Sequence, residues 1–425
     1  MTVAPIDAVH AREILDNRLE PTLRVTVETE TGTGRADVPC GRSRGEHEAH
    51  DLRDGDDRYR GRGVRQAVAN VTERIAPELV GRDATDQRAI DATLLDLDGT
   101  PTKTNLGGNA ITGVSLAVLR AGADATGLPL YRYLGGADAH VLPLPFFDLI
   151  EGGELAGGDL PFQEHQVVPV GADSVAEAVQ WSAEVYYELG DIVRAEYGEA
   201  SLNVGAEGGY NPIGIDDPRE AFELELAAIE ECGYEGEFAL AADVAASHFY
   251  DPETETYALL GEAMTREDLI GFYADLVDTY PVVSLEDPLD QHDFAGVADL
   301  TDRLDIQIVG DDLFTTNPDR LRTGIDRDAA NALLWKVNQV GTVTEAVEAA
   351  RMATRNGYAV QVSERSGQTP DTWLADLAVG LDAGQIKTGV TRGERTEQYN
   401  RLLEIEAALG DAATFGPPGD TPLDR

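Results

Sequence analysis

Three carboxylates and two lysines each close an apolar run: Asp243 in "FALAAD", Glu286 in "PVVSLED", Asp311 in "IQIVGDD", Lys336 in "NALLWKVN" and Lys387 in "GQIKTG". Carboxylates gathered without a cation repel and raise one another's pKa. A hard divalent ion relieves that repulsion, and an oxygen-only donor set suits magnesium. Asp243, Glu286 and Asp311 are therefore the candidate metal ligands. A lysine beside such an ion and a second ammonium group has its pKa lowered and can act as a base. Arginine cannot, because it stays protonated. The chain has only three lysines, Lys103, Lys336 and Lys387, and takes nearly all its positive charge from arginine. A lysine retained at 336 reads as one whose proton must come off. The plainer alternatives are carboxylates that act as separate caps or ion pairs and lysines that snorkel at a rim.

The elements that position these residues follow a repeat. From about residue 140, β-like apolar runs alternate with helical patterns, which predicts parallel strands in a closed barrel or a doubly wound sheet. Ser174 with Glu177, and Thr342 with Glu345, are capping signals that open two of the helices. An open sheet concentrates its chemistry at one switch point, whereas a barrel brings the C-terminal ends of many strands to one mouth. Six charged strand ends in series, Asp243, Glu286, Asp311, Lys336, Arg365 and Lys387, favour the barrel. The earlier part of the chain differs. "TLRVTVETETG" alternates as a strand running into a hairpin, and two helical stretches follow, the second ended by Gly127. The expected organisation is a small α+β domain over residues 1–135 and an α/β barrel over 140–425.

Composition narrows the partners. The 425 residues carry 78 acidic against 33 basic side chains, a formal charge of -45 spread along the chain. A dispersed acidic surface keeps a protein soluble by self-repulsion, as in halophiles; an acidic protein from a mesophile is the alternative. Nucleic acid and anionic membranes are disfavoured as partners, being polyanions themselves. Two cysteines, Cys40 and Cys232, build neither a disulfide framework nor a zinc motif. The start "MTVAPIDAVH" does not read as a signal peptide, and no run is long enough to span a membrane. The expected location is the cytoplasm.

Beyond the charged strand ends, the order of segments resembles the enolase family. "AREILDNRLEPT", "GGNAITGVSLA", "PFQEH", "NVGAEGGYNP", "ADVAASHFY", "VSLEDPLD", "VGDDLFTTNP", "LLWKVNQVGT", "SERSGQT" and "GQIKTG" look like enolase segments in enolase order. A lysine base with magnesium is the known arrangement of that superfamily, a precedent rather than a deduction from spacing. The resemblance implies dehydration of 2-phosphoglycerate to phosphoenolpyruvate, as in glycolysis. It implies Lys336 as the base, Lys387 at the substrate carboxylate, and Asp243, Glu286 and Asp311 on the first magnesium. It further implies Glu207, with Glu164 beside it, at the leaving hydroxyl, and Arg365 and Ser366 at the phosphate. The implied fold is a small N-terminal domain with an eight-stranded barrel of unusual early strand order, assembled as a homodimer or larger oligomer.

Five places depart from the family pattern. "SGAST" is "CGRSR", which would put Cys40 where a serine binds the second magnesium and adds Arg42 and Arg44 to a loop that closes over substrate. A histidine is Leu155, an aspartate is Ala206, and another histidine is Glu364, now beside the substrate. Leu19 and Glu20 replace Gly and Asn. The expectation is one magnesium site with the second weakened, because thiols are poor magnesium ligands. Glu164, Glu207 and Glu364 are expected to cluster, with at least one protonated near neutral pH. Two readings stay open: a lyase acting on 2-phosphoglycerate or a related acid, and an enolase-like paralogue without that activity, kept for another acid or for binding.

Overall fold

The computed structural model describes residues 4–42, 44–417 and 423. The alternating run forms strand β2, Pro21–Thr29. It pairs antiparallel with β1, Ile6–Leu15, on one side and β3, Thr33–Asp37, on the other. The hairpin closes where Thr29 N donates to Gly32 O at 2.8 Å. Helix α1, Gly108–Thr126, covers this sheet and ends at Gly127 with φ +69. The approach is close because position 34 lacks a side chain: a Cβ on Gly34 would fall 1.9 Å from Ala117 O.

The barrel is closed by eight strands. They are β4, Leu144–Glu151; β5, Glu164–Val168; β6, Ala239–Asp243; β7, Val282–Glu286; β8, Gln307–Gly310; β9, Ala332–Trp335; β10, Ala359–Ser363; and β11, Gly384–Lys387. Around the barrel the order is β7-β8-β9-β10-β11-β4-β5-β6. Neighbours are parallel except at β5, which runs antiparallel to both β4 and β6. The all-parallel expectation from the repeat thus fails at one strand. A parallel return needs a crossover, usually helical; the segment from Gly152 to Gln163 contains no helix and returns the chain as a hairpin. Two helices in succession, α2, Val175–Tyr197, and α3, Pro218–Glu231, then carry the chain to β6.

Reversal of β5 has a direct consequence for the site. Glu164 opens its strand, yet it lies opposite Glu151 and Asp243, which close theirs. All three therefore stand at one rim. Below them, Gln307, Gln385 and Ser284 hydrogen-bond across the interior, and Leu144, Phe146, Val168, Ala241 and Val283 fill the interior with apolar side chains.

The capping signals form real caps. Ser174 Oγ accepts from Glu177 N at 3.1 Å, and Thr342 Oγ1 accepts from Glu345 N at 3.1 Å, opening helix α4, Val343–Arg355. Glu345 also receives Lys103 Nζ at 2.8 Å, which ties the N-terminal part to the barrel. Among the described residues no helix is long and apolar enough to cross a membrane.

Candidate active site

A narrow cavity opens at the rim where the barrel strands end. Leu155, Glu164, Glu207, Asp243, Asp311, Lys336, Glu364, Arg365, Ser366 and Lys387 line it. Asp243 and Lys387 close β6 and β11, Asp311 and Lys336 follow β8 and β9 directly, and Glu364 to Ser366 follow β10. Glu286, at the end of β7, reaches the same place through Lys387. The candidate ligands, lysines and acids are buried or nearly so, whereas Arg42 and Arg44 are exposed.

Both lysines are ion-paired. Lys336 Nζ lies 2.6 Å from Asp311 Oδ2. Lys387 Nζ lies 2.8 Å from Glu164 Oε2, 2.7 Å from Glu286 Oε2 and 3.6 Å from Asp243 Oδ2. Burial is the largest influence on Lys336 and opposes its charge, as do Arg365 and Lys387, but Asp311 and Glu286 pull the other way and the net pKa is raised. The expectation of a lowered pKa concerns a lysine beside a divalent ion, whereas here Asp311 pairs with Lys336 directly. Asp311 would be raised by burial but is held low, chiefly by Lys336. Glu164 is pushed up by burial to about 7, against the pull of Lys387.

The carboxylates fit a divalent cation in chemistry. Asp243, Glu286 and Asp311 offer oxygen only, burial and Asp243 raise Glu286 far above its ordinary range, and Glu286 Oε1 is buried without a hydrogen-bond partner. They are not among the described groups of three whose donor atoms all lie within 4.8 Å of one another. The ammonium groups of Lys336 and Lys387 hold several of their oxygens instead. Asp287, Asp311 and Asp312 do form such a group, but Asp287 accepts from the backbone N–H of Asp311 at 3.0 Å and of Asp312 at 2.7 Å and so braces the loop. Gln163 and Gln339 orient Asp243 and Asp311 with hydrogen bonds of 2.8 and 2.7 Å.

Beside Lys387, whose backbone oxygen accepts from Glu364 N at 3.1 Å, sits a second acidic group. Asp148, Glu207 and Glu364 place one oxygen each within 4.8 Å of the others. Glu364 is raised well above the carboxylate range by burial, with Glu207 adding to the shift and Arg395 opposing it. Glu207 is held low because Arg395 and Lys387 outweigh its burial. The two shifts run in opposite directions, up for Glu364 and down for Glu207. Arg395, fully buried, pairs with Glu364 and donates to Arg365 O at 2.9 Å and Ser366 O at 3.0 Å. The loop bearing Glu207 is pinned by Glu151, whose carboxylate accepts from Glu207 N at 3.1 Å and Gly209 N at 2.6 Å.

At the other side, Arg365 makes a forked pair with Glu48, at 2.9 and 3.0 Å. Ser366 Oγ accepts from Arg42 N at 2.8 Å. Cys40 does not face this cavity. Its thiol contacts Asp51 Oδ2 at 3.3 Å and accepts from Arg53 at 2.9 Å, and burial raises its pKa to about 11. Doubt about a second metal therefore cannot rest on Cys40. Of the loop residues Gly41 to Gly45, Ser43 lies outside the described residues. Leu155 separates the cavity from a wider cleft beside Arg18, Arg42 and Ala206.

Sequence reasoning missed Asp148, Glu151, Arg395, Gln163, Gln339 and Glu48. Arg395 had no local signal; it sits in a helix that reads as ordinary amphipathic sequence. Gln163 stood one residue from Glu164 in "PFQEH", and its place there was the available clue.

Comparison with known proteins gives one family throughout. Residues 6–134 match the family model described as enolase, N-terminal domain, and residues 139–419 match enolase, C-terminal TIM barrel domain. The enolase of Methanopyrus kandleri is 57% identical over 421 residues, covering 98% of both chains. That of Pyrococcus furiosus is 52% identical over 415 residues, covering 96% of both. That of Methanocaldococcus jannaschii is 52% identical over 407 residues, covering 95% of this chain and 96% of its own.

Proposed function

The chain belongs to the enolase family, and on that premise we propose how its own residues carry out phosphopyruvate hydratase chemistry, the dehydration of 2-phosphoglycerate to phosphoenolpyruvate and water. The protein is a hydro-lyase. The observation that carries the reading is that Lys336 and the Glu207–Glu364 pair line the same cavity. A base and an acid at one cavity support removal of a proton and of hydroxide from one bound substrate.

Lys336 takes the proton from C2. It becomes a base only when its pairing with Asp311 is loosened, since that carboxylate does most to raise its pKa. A magnesium ion held by Asp243, Glu286 and Asp311 would neutralise the charge that builds on the substrate carboxylate. Lys387 faces that carboxylate as a fixed cation. Arg365, Ser366 and the backbone N–H of Arg42 supply the donors for the phosphate, with Arg365 shared between phosphate and Glu48. Glu364, the member of its pair whose pKa is raised, delivers the proton with which the C3 hydroxyl leaves as water. Loss of two family histidines at positions 155 and 364 is compatible with this, because the proton source is a carboxylic acid. Leu155 excludes water at the same end.

The finer points of the reading are a homodimeric or larger assembly, a cytoplasmic location and adaptation to high salt. The charge of -45 supports the last of these. The test is direct: purified protein with magnesium and 2-phosphoglycerate forms phosphoenolpyruvate, and a chelator stops it. Folded, magnesium-loaded protein that forms none contradicts the reading.

A further inference from the structure

Outside the reaction cavity, the described residues place two of the chain's seven histidines side by side. His47 belongs to the loop that lines the cavity with Gly41. His292 belongs to the loop after β7, 245 positions further on in the chain's numbering, as is the contact between Glu46 and Gln291. The two imidazoles meet edge to face with ring centroids 5.7 Å apart. Glu46 joins them: its Oε2 is 3.4 Å from His292 Nε2. One donor atom from each of Glu46, His47 and His292 lies within 4.8 Å of the others.

We propose that Glu46, His47 and His292 form a binding site for a borderline-soft divalent metal of the zinc type, which clamps the loop over the reaction cavity to the barrel. Two imidazoles and one carboxylate are a common donor set for zinc with an open fourth position. Tetrahedral ligands at about 2.0–2.2 Å stand about 3.3–3.5 Å apart, the separation Glu46 and His292 already have. All three side chains are exposed and so have room to rotate toward a shared ion. Burial, Arg320 and the neighbouring imidazole keep His47 below its ordinary pKa, so it is neutral and able to ligate. Arg320 opposes a metal at His47, but it is tied by hydrogen bonds to Leu313 O and Gln291 O, each at 2.8 Å. Magnesium, which prefers oxygen, is not expected to compete.

The clamp has mechanical meaning because the same loop reaches the substrate residues. Gly45 N is 3.2 Å from Glu48 Oε1, Glu48 holds Arg365, and Arg42 N holds Ser366. A metal joining Glu46 and His47 to His292 holds this stretch down and slows substrate exchange.

The test uses the whole protein in excess magnesium, so that the carboxylate site is filled. Zinc alone is titrated by equilibrium dialysis against the native chain, His292→Asn and His47→Asn. Neither histidine touches the reaction cavity, so both variants keep the activity of the native chain when zinc is absent. The expected result is one zinc per chain that both variants bind at least tenfold more weakly. Zinc should also slow tryptic cleavage after Arg44 and lower turnover in the native chain, and do neither in His292→Asn. Equal zinc binding in all three proteins overturns the site. Zinc bound at the site with cleavage and turnover unchanged overturns the clamp.

Discussion

The carboxyls of Glu207 and Glu364 lie within 4.8 Å of each other, and their pKa values are driven apart, up for Glu364 by burial and down for Glu207 by Arg395 and Lys387. Arg395 acts on both: it pairs with Glu364 and opposes that rise, and it is the main charge holding Glu207 low. A buried acid held in its neutral form is a competent proton donor.

Glu364→Gln keeps the shape and the hydrogen-bonding capacity but removes the proton. Turnover should fall by about 10²–10⁴-fold, the usual worth of a general acid, while exchange of the substrate's C2 proton with solvent continues. Steady-state kinetics beside exchange measured by NMR separates the two steps. Unchanged turnover would remove Glu364 from the acid role.

Much of this site was legible in the sequence because strand ends in a barrel are marked by a change from apolar to charged residues. Asp243, Glu286, Asp311, Lys336 and Lys387 each follow such a run. Glu164 was harder, since it begins a strand and reaches the rim only because β5 is reversed. Arg395 and Glu151 gave no local signal. Their roles come from partners 31 and 56 positions away in the numbering, as the Arg395–Glu364 pair and the Glu151–Glu207 hydrogen bond show. Cys40 misled because position in a motif does not tell which way a side chain turns: the thiol faces Asp51 and Arg53.

His165 gives the fold a dependence on acid. It is fully buried between Phe162 and Phe222, its ring nitrogens have no well-formed hydrogen bond, and burial lowers its pKa to about 3. The unfolded chain takes a proton near the ordinary histidine pKa of about 6.5 and the folded chain does not. Stability from this group is therefore complete above about pH 6.5 and is lost as pH falls toward 3. The expected loss is on the order of a few kcal/mol. His165→Phe should flatten the fall in Tm between these limits; a parallel fall in both proteins assigns the acid sensitivity elsewhere.

Lys103 is the lysine outside the site, and its ammonium is nearly buried against Glu345 at 2.8 Å. Lys103→Met leaves that carboxylate without its partner. Urea unfolding should show a loss of about 1.5–3 kcal/mol, with kcat on the remaining folded protein little changed. A variant as stable as the native chain would mean the pair is solvated and the N-terminal part is held by its other contacts, such as Arg120–Asp371 and Glu48–Arg365.

The surface charge predicts a response to salt. With a formal charge of -45, self-repulsion weakens the compact state at low ionic strength. Tm should rise steadily with potassium chloride into the molar range. A Tm that is flat from low salt upward would argue that the acidic surface is not a salt adaptation.

The central claim is that Lys336 removes the C2 proton, and isotope exchange tests it most directly. The native protein with magnesium and 2-phosphoglycerate in deuterated water should place deuterium at C2 of recovered substrate. Lys336→Arg keeps the charge beside Asp311 but cannot deprotonate, so it should fold, still bind substrate and incorporate none. Deuterium appearing at C2 in the arginine variant at the native rate would contradict the account.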